Sequence, residues 1–279
     1  MLSAPEMAVT EINGVTFELY DSGGPGDPVL LIHSTRDDWY GVIQEPVLTD
    51  NFRVILPLRR GCGRSTSEGF PNSFDEHAAD YRMILQHLGI EKAHVAGLSI
   101  GGSIALQMAK GWPEGVHSLV LLEPALMSVV ADYPQVGKVL AEAVSRYQAG
   151  DKEGAITIHF EELAGPDAWS DLPRESFERL LEDADMLYQG DGAKLAEWVY
   201  TSDDAAQIDQ PLLNVTGANT RPYYTEIHET IKSWIPHAEN VVIPDTKHAI
   251  LQTRPKTVAE TLADFFSRHR IHPEPQIAD

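Results

Sequence analysis

The chain has 279 residues, 43% hydrophobic and 23% charged, which is enough apolar side chain for a full core and shows none of the bias of disordered, collagen-like or fibrous proteins. At about 150 residues per domain, such a length accommodates two domains or one large one. Asp and Glu outnumber Lys and Arg by 42 to 21, and the resulting formal charge of −21 repels phosphate backbones and anionic lipid, so no nucleic-acid or membrane partner is expected.

The opening residues, Met1-Leu2-Ser3-Ala4-Pro5-Glu6, carry neither the basic nor the apolar segment of a secretion signal. No apolar run reaches the ~18 residues of a membrane span, and the expected location is the cytoplasm. Short apolar, β-branched runs then alternate with helical spacing. Strands are predicted over 15–20, 29–32 and 54–57, a helix over 74–88, a strand over 93–98, a helix over 102–110 and a strand over 118–122. From Pro124 to Ile208 the strand signal stops. Helical spacing takes over in Val136, Val139, Leu140, Ala143, Val144 and Tyr147, then in Phe177, Leu180, Leu181 and Met186. Gly150, Gly165-Pro166, Leu172-Pro173 and Gly190-Asp191-Gly192 divide this stretch into about four helices. Strands at 212–216 and 241–243 and helices at 225–235 and 255–269 follow, the last with Val258, Leu262, Phe265 and Phe266 on one face. The tail from Ile271 to Asp279 reads as frayed. Alternation of this kind implies the α/β class, with a core of 1–123 and 209–279 and a helical cap inserted at 124–208.

The sharpest motif is Gly97-Leu98-Ser99-Ile100-Gly101, a G-x-S-x-G between the strand Ala93-His94-Val95-Ala96 and the helical run from Gly102. A serine on so tight a strand-to-helix turn needs glycines on both sides, because a Cβ there clashes with the neighbouring strand and helix. The helix that follows aims its N-terminal amides and positive dipole end at the place where an oxyanion develops.

On these residues the chain resembles the α/β-hydrolase family over nearly its whole length. That resemblance implies a mostly parallel eight-stranded sheet flanked by helices, with Ser99 as nucleophile. The segment Val29-Leu30-Leu31-Ile32-His33-Ser34-Thr35 is similar to the family's third strand, which normally ends in His-Gly; here Ser34 replaces the glycine. The implied oxyanion hole uses the backbone N–H of Ile100 with that of Thr35 or Ser34. Leu58-Arg59-Arg60-Gly61-Cys62-Gly63-Arg64-Ser65 is similar to a structural turn of the family, with Leu58 in place of the usual aspartate. Its glycines lack the context of a dinucleotide fingerprint, so no NAD or FAD is expected, and the cofactor expectation is none. Cys62 is the single cysteine of the chain, which removes disulfide frameworks and cysteine-rich metal sites; no metal is expected.

Of the 11 histidines, His248 stands between the last strand and the last helix, where the family keeps its general base. An imidazole of pKa ~6.5 can take the serine proton and return it to a leaving group near neutral pH. The acid departs from the commoner pattern. Most members place an Asp three residues beyond the glycine after the seventh strand, but Gly217-Ala218-Asn219-Thr220 puts an uncharged Thr220 there. Leu122-Glu123-Pro124 offers a carboxylate at the end of the sixth strand, so Glu123 is the expected acid, with Asp203, Asp204, Glu226 and Asp245 as alternatives. Among α/β hydrolases, the lactonases that open the zearalenone macrolactone and certain haloalkane dehalogenases place their acid after this strand.

The expected activity is therefore that of a serine hydrolase acting on an ester or lactone of a mid-sized hydrophobic substrate through an acyl-enzyme on Ser99. The same triad supports carbon–carbon bond hydrolysis and perhydrolysis, and a ligand-binding receptor with little turnover is the rival from another class. Epoxide hydrolase and dehalogenase chemistry on this fold uses a carboxylate at the elbow, which a serine does not supply. Substrate contacts are expected from Trp39, Tyr40, Leu98, Trp169 and Trp198. The expected partners are a small-molecule substrate and, at most, a second copy of the chain in a homodimer.

Overall fold

The computed structural model describes residues 4–69, 73–166, 168–170, 172–191 and 197–271; most of the tail expected to fray lies outside them. Eight strands form one sheet: β1 (Ala8–Ile12), β2 (Val15–Asp21), β3 (Asp27–Ile32), β4 (Phe52–Pro57), β5 (Ala93–Leu98), β6 (Val116–Leu122), β7 (Leu212–Gly217) and β8 (Glu239–Ile243). Their order is β1-β2-β4-β3-β5-β6-β7-β8; β2 is antiparallel to both neighbours and every other pair is parallel.

The inner strands are mostly apolar because both sheet faces are covered. Side chains alternate between the faces. Leu30, Ile32, Leu119 and Leu121 pack under α1 (Phe74–His87), α2 (Ile100–Gly111) and α6 (Pro222–Trp234), while Val29, Leu31, Val120 and Leu122 pack under α7 (Pro255–Arg268). On α7 the stripe Val258, Leu262, Phe265 and Phe266 supplies the buried face, as its spacing predicts. Strand β1 went unpredicted. It pairs with β2 through Asn13-Gly14, both at positive φ (51° and 80°), a two-residue hairpin loop that only such residues adopt without strain.

Between β6 and β7 the described residues contain helices and turns but no strand. These are α3 (Tyr133–Gln148), α4 (Lys152–Ala164), α5 (Arg174–Glu182), a π-helical turn at Met186–Asp191 and a short helix at Ser202–Ala205. The segment has its own apolar centre of Ala143, Ala155, Ile156, Leu180, Ala184, Leu187 and Tyr188. Crossed ion pairs hold α5 to the loop after β3: Arg36 pairs with Glu182 and, at 3.1 Å, with Asp183, while Arg179 reaches back to Asp37 at 3.0 Å. No helix among the described residues is long and apolar enough to cross a membrane.

Candidate active site

Ser99 sits between the end of β5 and the first turn of α2 at φ 52°, ψ −120°, a backbone that a non-glycine residue holds only when its surroundings force it. Here they do. A Cβ on Gly97 would lie 2.2 Å from the carbonyl oxygen of Gly101, and one on Gly101 would lie 2.2 Å from that of Ile32. The Ser99 N–H donates to Leu122 at 3.0 Å, and its carbonyl accepts from Gly102, Ser103 and Ala125. The N–H of Ile100, which opens α2, has no acceptor within the helix.

The parallel register of β5, β6, β7 and β8 brings their carboxyl ends side by side, so residues distant in sequence converge there. Glu123, at φ 42° and 2% exposed, is fixed by its own N–H to Val215 at 3.0 Å. Its carboxylate accepts four hydrogen bonds. Thr216 Oγ1 (2.9 Å) and Gly217 N (2.8 Å) donate to Oε1, while Thr220 Oγ1 (3.0 Å) and His248 Nδ1 (2.7 Å) meet Oε2. Thr220, the residue standing where most of the family carries its acid, therefore donates to the carboxylate that β6 supplies.

Among the described residues, Glu123 is the carboxylate bonded to His248. The alternatives are engaged elsewhere or exposed: Asp204 pairs with Lys110 at 2.6 Å, Glu226 accepts from Ala131 at 3.1 Å, and Asp203 and Asp245 face solvent. With the Nδ1 proton directed to Glu123, Nε2 presents a lone pair. The hydroxyl of Tyr224 lies 3.0 Å from Nε2, over the face of the imidazole, on which the Tyr224 ring stacks with centroids 4.1 Å and planes 10° apart. Burial, together with the neighbouring Tyr223 and Glu123, pushes the Tyr224 phenol well above its ordinary value, so it stays neutral. Tyr224 lies one turn into α6, and nothing in its local sequence marks it out; only the packing of α6 on β7 brings it to His248.

The expected loop donors are differently employed. The N–H groups of Ser34 and Thr35 both donate to Asp38 Oδ2, at 2.8 and 2.7 Å, and the Thr35 hydroxyl and Gln252 Nε2 bind Oδ1. Ser34 and Thr35 thus do not present free N–H groups in this state. Burial pushes the Asp38 carboxyl up to about 6 despite these donors.

Three expected substrate contacts are corrected. Trp39 is 0% exposed and its indole N–H donates to the Ile32 carbonyl at 3.1 Å, so the bulky ring fills core volume under the sheet. The Tyr40 hydroxyl points to Met7 Sδ, 3.7 Å away, with the Arg179 guanidinium over its ring. Trp198 packs edge-on against Phe74 and donates to Gln107, on the far side of α1 and α2. Trp169 stacks among Phe160 and Phe177 inside the helical segment. Leu98 does line the cavity beside His248, with Ser34, Thr35, Asp38, Gln252 and, from the helical segment, Phe160, Leu163, Ala164 and Leu172. This cavity holds about 30 Å³, room for a water molecule or two. No group of three or more His, Cys, Asp or Glu among the described residues is placed to hold a metal ion.

Known proteins share this fold. A Synechocystis protein provisionally named a non-heme chloroperoxidase is 25% identical over 94% of this chain and 99% of its own length. A soluble epoxide hydrolase of Corynebacterium is 35% identical over 44% of each chain. Among solved structures, a thermophilic esterase of Thermogutta terrifontis superposes with a TM-score of 0.80 at 22% identity, covering 95% of this chain and 100% of the other. Residues 22–255 match the family model described as the alpha/beta hydrolase fold, and the chain belongs to that family.

Proposed function

We propose that the protein is a serine hydrolase that opens an ester or lactone of a mid-sized hydrophobic substrate, with Ser99 as nucleophile, His248 as base and Glu123 as the acid that orients it. The observation carrying this reading is the junction of two features. A serine is held at φ 52° on a strand-to-helix turn, and at the same end of the sheet a histidine has its Nδ1 fixed by a buried carboxylate at 2.7 Å. Ser99 Oγ attacks the acyl carbon while its proton passes to Nε2. The imidazolium is stabilised by Glu123 and returns the proton to the departing alkoxide. Water then repeats the sequence on the acyl-enzyme, releasing acid and free serine. The Ile100 N–H at the start of α2 supports the oxyanion.

Although one relative is named an epoxide hydrolase, the elbow here carries Ser99 rather than a carboxylate. The stretch 124–208 acts in this reading as a cap: α4 and Leu172 roof the cavity, and their apolar underside favours a hydrophobic acyl or ring portion.

Incubation with a fluorophosphonate followed by peptide mass mapping tests the assignment. An adduct on Ser99, absent in Ser99→Ala, is expected, along with turnover of aryl esters and lactones that the variant loses. No adduct in folded protein, or tight ligand binding with turnover at background, rejects it in favour of a receptor.

A further inference from the structure

We infer that Thr220 is a positioning residue that governs proton transfer to His248 by acting through Glu123; the inference rests on the serine-hydrolase reading above. Its hydroxyl donates to Glu123 Oε2 at 3.0 Å, and the same oxygen meets His248 Nδ1 at 2.7 Å. The other carboxylate oxygen accepts from Thr216 Oγ1 and Gly217 N, at 2.9 and 2.8 Å. Among the described residues, Thr220 is thus the side chain that shares an oxygen with the imidazole. Its own place does not depend on that bond. The Ala218 N–H donates to the Ile243 carbonyl at 3.0 Å and the Asn219 N–H to the Thr246 carbonyl at 2.8 Å, which pins the turn after β7 to β8 and its following loop. Just beyond, Pro222 opens α6.

The shared oxygen acts in two ways. A donor fixed by the sheet keeps Oε2 turned toward Nδ1, because rotating the carboxylate would break the bonds at both oxygens. The donor also draws negative charge from the atom that faces the ring. Glu123 is 2% exposed, so its charge is tempered by these donors rather than by bulk water. Without the Thr220 hydroxyl the barer carboxylate attracts the imidazolium more strongly, and His248 stays protonated, idle as a base, to higher pH. The other titratable and charged groups around the Glu123–His248 pair are Tyr224 and His228 of α6, Glu162 of α4, Asp38 across the cavity, and Asp245 and Lys247 of the histidine's own loop. Asp38 titrates at about 6, but replacing Thr220 leaves it and the rest in place, so the difference between two variants reads the hydroxyl.

Thr220→Val puts a methyl where the hydroxyl stood, which keeps the shape and bars water from replacing the donor; Thr220→Ser restores the hydroxyl. Two readouts are the acid limb of kcat/KM on an aryl ester and the midpoint of the His248 ring signal, titrated by NMR in the free protein. Both are expected to move up by about half to one pH unit in Thr220→Val and to return close to wild type in Thr220→Ser. Below the limb this is a loss of about three- to tenfold in kcat/KM; above it the proteins converge to within about threefold, with KM near wild type. An unmoved or lowered limb in folded Thr220→Val overturns the inference. So does an equal shift in Thr220→Ser, which would trace the effect to packing of the side chain. If Thr220→Val does not fold, Thr220→Ala takes its place with the same expected direction and the same refutation. Those negative results leave the parent reading standing if fluorophosphonate labels Ser99 in the wild type; a folded wild type unlabelled at Ser99 overturns both.

Discussion

Glu123→Gln exchanges an acceptor-only group for one that is half donor, and the four partners of the carboxylate decide the outcome. Of the two groups on Oε1, the Thr216 hydroxyl can rotate to accept from an amide, but the Gly217 N–H cannot. Turning the amide NH2 toward Gly217 would leave a buried N–H facing a donor, at a cost of about 1–3 kcal/mol. The amide oxygen therefore stays with Gly217 and the NH2 faces Thr220 and His248. Thr220 can again rotate; Nδ1 can accommodate an N–H donor only by giving up its own proton. The imidazole is driven to the tautomer protonated on Nε2, which cannot accept a proton from Ser99, and the imidazolium loses its anion. A fall in kcat of ~10⁴-fold, with KM little changed, is expected, by analogy with conversion of a triad acid to its amide. The assay is kcat on an aryl ester, with the melting temperature and circular dichroism as controls for folding. A variant within tenfold of wild type refutes the tautomer reasoning, most directly if Asp203→Asn, Glu226→Gln or Asp245→Asn collapses instead.

Asp183, whose carboxyl burial pushes from 3.8 up to about 6, is charged in the unfolded chain over part of the pH range where it is neutral in the folded protein. Its favourable contribution is thus complete below about pH 4 and lost as pH rises toward 6 and above, by up to about 3 kcal/mol for a shift of about two units. Asp183→Asn should gain stability relative to wild type between pH 4 and 7, read as the difference in melting temperature; a flat difference refutes the shift. Phe160→Ala, which trims the roof of the cavity, should raise kcat/KM for long acyl chains relative to acetyl esters by a few fold to tenfold. Uniform change across a chain-length series would show that Phe160 does not select substrate.

Much of this was legible because it depends on local rules. The elbow is a demand of one turn on its own glycines, and the inner strands advertise burial on both faces through short runs of Val, Ile and Leu. Glu123 was legible by default, since the chain from Gly217 to Thr220 carries no charge while the residue after β6 does. Strand β1 was missed although Asn13-Gly14 announces a hairpin, because Ala8–Ile12 lies at the sheet edge with its side chains mostly exposed and shows little apolar pattern. Trp39, Tyr40 and Trp198 misled because an aromatic ring near a site in sequence is as useful to the core as to a ligand; where the ring points is settled by the packing of distant helices. Tyr224 and Asp38 were beyond reach for the same reason. One depends on how α6 seats against β7, the other on a loop folding back on its own amides.

The root of the helical segment carries a further consequence. Glu123 is joined directly to Pro124, the Ala125 N–H donates to the carbonyl of Ser99 at 3.0 Å, and a Cβ on Gly102 would sit 2.9 Å from the Pro124 side chain. Residues 123–125 are thus welded to the elbow and cannot serve as a hinge. If the roof lifts, it must swing about points beyond Leu126, shearing the crossed pairs of Arg36 and Arg179 rather than pulling on the triad acid. Whoever grafts a foreign roof onto this sheet should therefore cut after Leu126 and leave Glu123 to Ala125 with the sheet. The return junction, at the short helix Ser202–Ala205 capped by Thr201, holds none of the triad and tolerates the splice more freely.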